Sequence, residues 1–354
     1  MPGNLINNRA GASKPLLALF SFLMIMACSK KEEQMPDAAS VDFAYSGLEF
    51  KCVYERDSLP VLNQDADVFY RYGLYLEKRK GQKNYDDIAR YYRIAAAHDH
   101  YKAATNLQFL LSTGQAHSPD ASKEVIDLAE YYVAQDIPGA YYDLAHYLEL
   151  GYGVKQDVAA SRAYFRRAAD LGSPDAQYYV GRLLSYVPNT ADILLAMYKC
   201  AMEQGNRLAA RDYSSYLQDS GLYQEALKGY HTATRNGDDL SAYSLANAFK
   251  GPPASNELNY LALQQDDERV VRYNKISDFL TRHEHLGAKM PDLDDIVPLP
   301  PATLPDWDGT FQWKRERDSA VPIIPSAELI EKLSAEKGLD PATGLPLTKS
   351  IGSL

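Results

Sequence analysis

The chain has 354 residues, enough by the usual length prior for two domains. It is 46% hydrophobic and 24% charged, the composition of an ordinary soluble protein. Its formal net charge of -10 weighs against a nucleic-acid partner, whose phosphates need a basic surface. That charge suits a partner with a basic face, although solubility alone also produces a mild acidic excess.

At the N-terminus, Arg9 and Lys14 precede an apolar run from Leu16 to Met26. The run has signal-peptide length and is too short to span a bilayer as a helix. It ends Ile25-Met26-Ala27-Cys28, which resembles a bacterial lipobox, with Met26 larger than the residue usual at its position. The resemblance implies a signal peptide over 1–27 and a lipid attached to Cys28. Ser29 follows Cys28, where an aspartate would resemble an inner-membrane retention signal, and this implies outer-membrane delivery. Residues 28–42 are small and polar and read as a tether. Residues 43–66 lack a clear period and read as an extended N-terminal cap.

Two cysteines remain. Cys52 stands near the start, and Cys200 lies in a helical pattern far along the chain. An exported compartment permits a disulfide, but nothing in the spacing brings the two Cα atoms together. Two separate buried thiols are expected.

From Asp67 the chain repeats itself. A column of small residues runs Ala104, Ala140, Ala176, Ala209 and Ser241, at steps of 36, 36, 33 and 32 residues, and Val68 stands 36 residues before it. Four residues before each column member is a turn position: His100, Asp136, Gly172, Gly205 and Gly237. A glycine there closes one helix in the left-handed conformation, and the small residue opens the next helix in close contact with its neighbour. Each unit is then a helix, a loop and a second helix. A single pair cannot bury its own apolar face, so units must stack.

The unit at 140–172 resembles the Sel-one-like repeat, a relative of the tetratricopeptide repeat. Its loop Gly151-Tyr152-Gly153-Val154, followed by Asp157, fits the family's pattern. The resemblance covers 67–250, is strong over 138–186 and is degenerate elsewhere. It implies an all-α fold, a right-handed α-α superhelix with a Pro-rich C-terminal extension. Beyond it, 251–286 should cap the solenoid, with a helix over 266–285. Residues 287–354 hold Pro291, Pro298, Pro300, Pro301 and Pro305, and both tryptophans, Trp307 and Trp313. Ser326 should cap a short helix running to Lys337. The extension is expected to be extended and docked along the solenoid.

No constellation in the chain looks catalytic, and no cofactor is expected. His283-Glu284-His285 places its two imidazoles about 200° apart on a helix, unsuited to one metal ion. Asp292-Leu293-Asp294-Asp295 lacks the glycine and distal glutamate of a calcium loop. Gly151-Tyr152-Gly153 sits between repeat helices and reads as a structural turn, not a phosphate loop.

The residue type that stands out is tyrosine, 27 in the chain and often doubled. In each pair, one ring should be core and its neighbour should reach the surface. Tyr142 and Tyr178 share a repeat position, with Tyr70 and Asn106 aligned to them. Such a row is what a binding groove would present, the alternative being simple packing. Trp307 and Trp313 are second candidates for partner contact.

Across nearly its whole length the chain resembles Sel-one-repeat lipoproteins of Gram-negative bacteria. The shared segments are FKCVYERDSLPVL, IARYYRIAAAHDHYKAATNLQFL and VPLPPATLPDWDGTFQW. Some such proteins are encoded beside phospholipase D-type effectors of the type VI secretion system. The resemblance implies a periplasmic antidote that binds and blocks such a lipase. The alternative is a general envelope scaffold or signalling adaptor, and the remoter one a hydrolase.

Overall fold

A computed structural model of the chain describes residues 49–347. Cys28, the expected signal peptide and the tether lie outside the described residues. The fold is the all-α solenoid expected from the repeats. Helices α1 (Gln64–Lys78), α2 (Tyr85–Ala97), α3 (Tyr101–Ser112), α4 (Ala121–Val133), α5 (Pro138–Leu150) and α6 (Val158–Asp170) make the first three pairs. The next three pairs are α7 (Pro174–Leu184), α8 (Ala191–Glu203), α9 (Arg207–Asp219), α10 (Tyr223–Arg235), α11 (Asp239–Ala248) and α12 (Asp267–His283). Each helix packs on the next, and α3–α5 and α5–α7 also touch, so the first helices of successive units lie side by side.

The start of each unit follows one local rule. A residue before the first helix caps it, and the third residue after the cap is small and buried. The caps are Asn63, His100, Ile137, Ser173, Asn206 and Asp238. The small residues are Ala66, Ala103, Ala140, Ala176, Ala209 and Ser241, none more than 4% exposed. In five of the six units the cap side chain accepts a hydrogen bond from that small residue's N–H, satisfying one orphan donor of the helix start.

This corrects the sequence register in the first two units. The column passes through Ala66 and Ala103, not Val68 and Ala104. The turn in the second unit is Asp99, at φ 64°, and His100 is the cap that follows it. These two units are one residue longer than the third. For the same reason α1 begins at Gln64, inside the segment expected to be extended.

The doubled tyrosines divide less simply than expected. Tyr131 is exposed and Tyr132 buried, but Tyr91 and Tyr92 are both buried. Tyr141, Tyr142, Tyr178 and Tyr179 are all half-buried.

The larger correction concerns the cysteines. Cys52 and Cys200 are joined in a disulfide across 148 residues, with Cα atoms 5.7 Å apart. Superhelical stacking, not sequence proximity, carries α8 to the N-terminal segment.

Residues 287–347 include short helices α13 (Leu293–Ile296), α14 (Gln312–Ser319) and α15 (Ala327–Glu336). Met290, Leu293, Ile296 and Val297 are buried in the core of the last repeats. Two nearly buried arginines of α12 hold this stretch: Arg269 donates to the carbonyls of Pro298 and Ala302, and Arg272 to those of Ile296 and Pro305. The chain then returns to the first repeats. Leu333 and Leu339 enter their core, and the Leu333 carbonyl lies 2.9 Å from Nε2 of His98. Arg93 donates to the Thr343 carbonyl at 3.3 Å.

Candidate functional site

The solenoid's first helices line a groove that holds a cavity of about 520 Å³. Tyr70 comes from α1, Tyr101, Lys102, Thr105 and Asn106 from α3, Tyr142 and Asp143 from α5, and Asp175 from α7. Glu203 and Gln204, at the end of α8, add to it, and one further wall is not a repeat helix. It is the segment before α1, through Tyr54, Glu55, Arg56 and Leu59.

That segment is a strap laid over the turns of the middle repeats. The Val53 carbonyl accepts from Gln177 Nε2 at 3.0 Å, and the Glu55 amide donates to Gln204 Oε1 at 2.8 Å. The Tyr54 hydroxyl donates to Glu203. Gly172, which closes α6 at φ 104°, lies so close beneath that a Cβ would sit 2.6 Å from the Glu55 nitrogen.

The groove is acidic. Its lining carries Glu55, Asp143, Asp175 and Glu203 against Arg56 and Lys102. Asp143 and Glu55 are half-buried at the cavity wall, and Asp175 is exposed there. Desolvation pushes Asp143 up to about 7; Thr105 and His146 oppose this, and Asp175 and Glu55 add to it. Desolvation also raises Asp175, against a hydrogen bond from Asn206, and raises Glu55, where the Asp175 charge adds and Lys102 opposes. Three carboxylates therefore face one cavity with their charges incompletely solvated, a setting that favours an incoming cation. Tyr70 and Tyr142 add aromatic faces beside them, which also attract cations.

The sequence-selected residues separate into three places. Tyr70, Asn106 and Tyr142 meet in the groove. By capping register, Val68 and Thr105, not Tyr70 and Asn106, are the equivalents of Tyr142. Tyr178 shares the register of Tyr142 but does not line the cavity. Its hydroxyl donates to Asp212 at 2.8 Å, and its ring packs beside Tyr198. Trp307 and Trp313 lie on the last repeats, half-buried. Trp307 donates to the Thr310 carbonyl and has Arg272 and Lys275 near its ring, while Trp313 packs edge-on against Phe279. Sequence reasoning missed Tyr54, Glu55, Asp143 and Asp175. Asp175 resembles an ordinary acid in a first helical turn, and no periodic signal marks the other three.

Among the described residues, no helix is long and apolar enough to cross a membrane. No group of three or more histidine, cysteine, aspartate or glutamate side chains among them could hold a metal ion.

Comparison with known proteins places this geometry. Residues 241–347 match a domain of unknown function, DUF6396. No curated protein matches the chain. Among solved structures, immunity protein PA5088 from Pseudomonas aeruginosa is 27% identical, with a TM-score of 0.59 over 71% of this chain and 94% of that one. Immunity protein PA5087 from the same organism is also 27% identical, with a TM-score of 0.57 over 72% of this chain and 95% of that one. Pseudomonas aeruginosa PA5086 is 27% identical, with a TM-score of 0.58 over 72% and 96% of the two chains. The chain is a helical repeat protein whose residues 241–347 match a domain of unknown function, and it is similar, along nearly their whole length, to two immunity proteins of Pseudomonas aeruginosa.

Proposed function

We propose that this chain is an immunity protein that faces the periplasm and blocks a phospholipase-type effector of the type VI secretion system by binding it. The observation that carries the reading is the match to the two immunity proteins over 94% and 95% of their lengths. The groove supports it. A solenoid offers a large preformed concave surface, and occlusion needs such a surface, not chemistry. Its carboxylates and tyrosines suit a basic, partly apolar segment of the partner. In this reading the chain acts by binding and not by catalysis. A lipid on Cys28 anchors it, in the outer membrane given Ser29, on the side where an injected lipase acts.

The test is protection. A phospholipase D-type effector of the type VI secretion system is exported to the periplasm of a sensitive strain, with and without this chain. Survival only with the chain, together with a complex of the two purified proteins, is the expected result. Lysis in both cases, or protection without complex formation, overturns the reading.

A further inference from the structure

We propose that the Cys52–Cys200 bond is a redox latch on the groove. Oxidised, it holds residues 53–59 as one wall of the cavity. Reduced, it frees them and opens the cavity while the solenoid stays folded. The inference concerns regulation of the groove described above, and only its biological consequence rests on the immunity reading.

Three observations carry it. First, the strap adds only a 3-10 turn, Glu55–Asp57, and supplies neither helix of any repeat pair. Cys200 sits in α8, whose own buried residues Leu194 and Met197 pack into the middle core. Second, apart from the disulfide, the strap is held by polar side chains, among them the Tyr54 hydroxyl, which donates to Glu203, and Arg166, which donates to the Glu49 carbonyl. Gln177 and Gln204 donate to the Val53 carbonyl, and Gln204 accepts from the Glu55 amide. Water can replace each of these bonds. Its apolar anchors, Phe50 and Leu59, are only partly buried. Third, the strap ends at the cap of α1, so once the bond is broken only Asn63 ties it covalently to the repeats. The bond is also accessible, because Cys52 is exposed although Cys200 is 1% exposed.

The chemistry balances with a dithiol reductant. Its thiolate attacks the Cys52 sulfur and displaces Cys200 as a thiolate. Its second thiol then displaces Cys52, and the reductant leaves as a disulfide. Two electrons pass to the protein, and the two cysteines end as thiols with the two protons the reductant gives up. A chain in a reducing compartment would therefore have an unfinished groove, and an oxidising compartment would complete it.

The experiment compares the oxidised protein, the same protein in dithiothreitol, and Cys52→Ser. Hydrogen exchange is read at the Glu55 amide and across α7 and α9. Carbodiimide labelling is read at Asp143 and Asp175. The latch predicts Glu55 exchange at least tenfold faster on reduction and in Cys52→Ser, labelling up severalfold, and α7 and α9 unchanged. Unchanged Glu55 exchange overturns it, because the strap then holds itself. Equal acceleration in α7 and α9 also overturns it, because the bond then supports the solenoid as a whole. Neither readout uses a partner, so failure of the immunity reading would be seen separately, in the protection assay.

Discussion

Thr105 of α3 donates a hydrogen bond to Asp143 of α5 at 3.2 Å, joining two successive repeats beside the groove. The bond steadies the ionised carboxyl, but desolvation outweighs it and leaves Asp143 titrating at about 7. The native state therefore holds a proton that the unfolded chain releases near 3.8, so this group's contribution to stability falls as pH rises from about 4 through 7. A basic partner draws the ionised form. Its affinity should rise between pH 6 and 8, and Asp143→Asn should flatten that rise while lifting the melting temperature at pH 8. Calorimetric titration at several pH values checks the first outcome and thermal melts the second.

Tyr142 and Tyr178 should part company. Tyr142 lines the cavity, whereas Tyr178 is spent on Asp212 outside it. Tyr142→Ala should weaken partner binding at least about tenfold, or 1.4 kcal/mol, and Tyr178→Ala less than about threefold. Tyr142 also packs against Phe165 at 5.6 Å between ring centroids, so melting curves must accompany the titrations. Equal losses from both variants would place the partner elsewhere.

Ala176 is fully buried at the third position of α7. Ala176→Trp forces a large ring into that contact and should cost about 1–3 kcal/mol or more. Denaturant unfolding at equilibrium measures it, and a wild-type midpoint would mean that the small column is not a packing interface.

His231 of α10 is buried, with Nδ1 2.8 Å from the Tyr273 hydroxyl and Nε2 2.7 Å from Asp294. Arg235 also pairs with Asp294. Burial lowers this histidine below 6.5, against the pull of Asp294. The native state then binds fewer protons than the unfolded chain, so stability is lost as pH falls below about 6.5 through the lowered native value. Unfolding free energy should decline from pH 7 to 5, and His231→Asn should reduce that decline. A slope unchanged in the variant would assign the acid sensitivity to other groups.

Cys28→Ser tests the anchor. The variant should appear soluble or unprocessed on fractionation, where the wild type partitions with membranes. Unchanged membrane partition would leave the lipidation reading without support.

The repeats were legible because their rules are local. A helix must be capped, its turn needs a left-handed residue, and the contact beside the turn admits only a small side chain. Ala140, Ala176, Ala209 and Gly172 therefore announced their roles in order of sequence. The first two units were read out of register because each is one residue longer than the third, so a step of 36 carried back from Ala140 lands one residue late at Ala104 and two late at Val68.

Sequence alone thus determined that this protein is a stack of helix pairs with an acidic surface and tyrosine-rich first helices. Which of those tyrosines share a groove was settled only by the tertiary structure, as were the strap that walls it, the bond between Cys52 and Cys200, and the return of Leu333 to the first repeats. The reason is physical. Each depends on the curvature accumulated over several repeats, a sum of small rotations between neighbours that no single stretch of chain encodes.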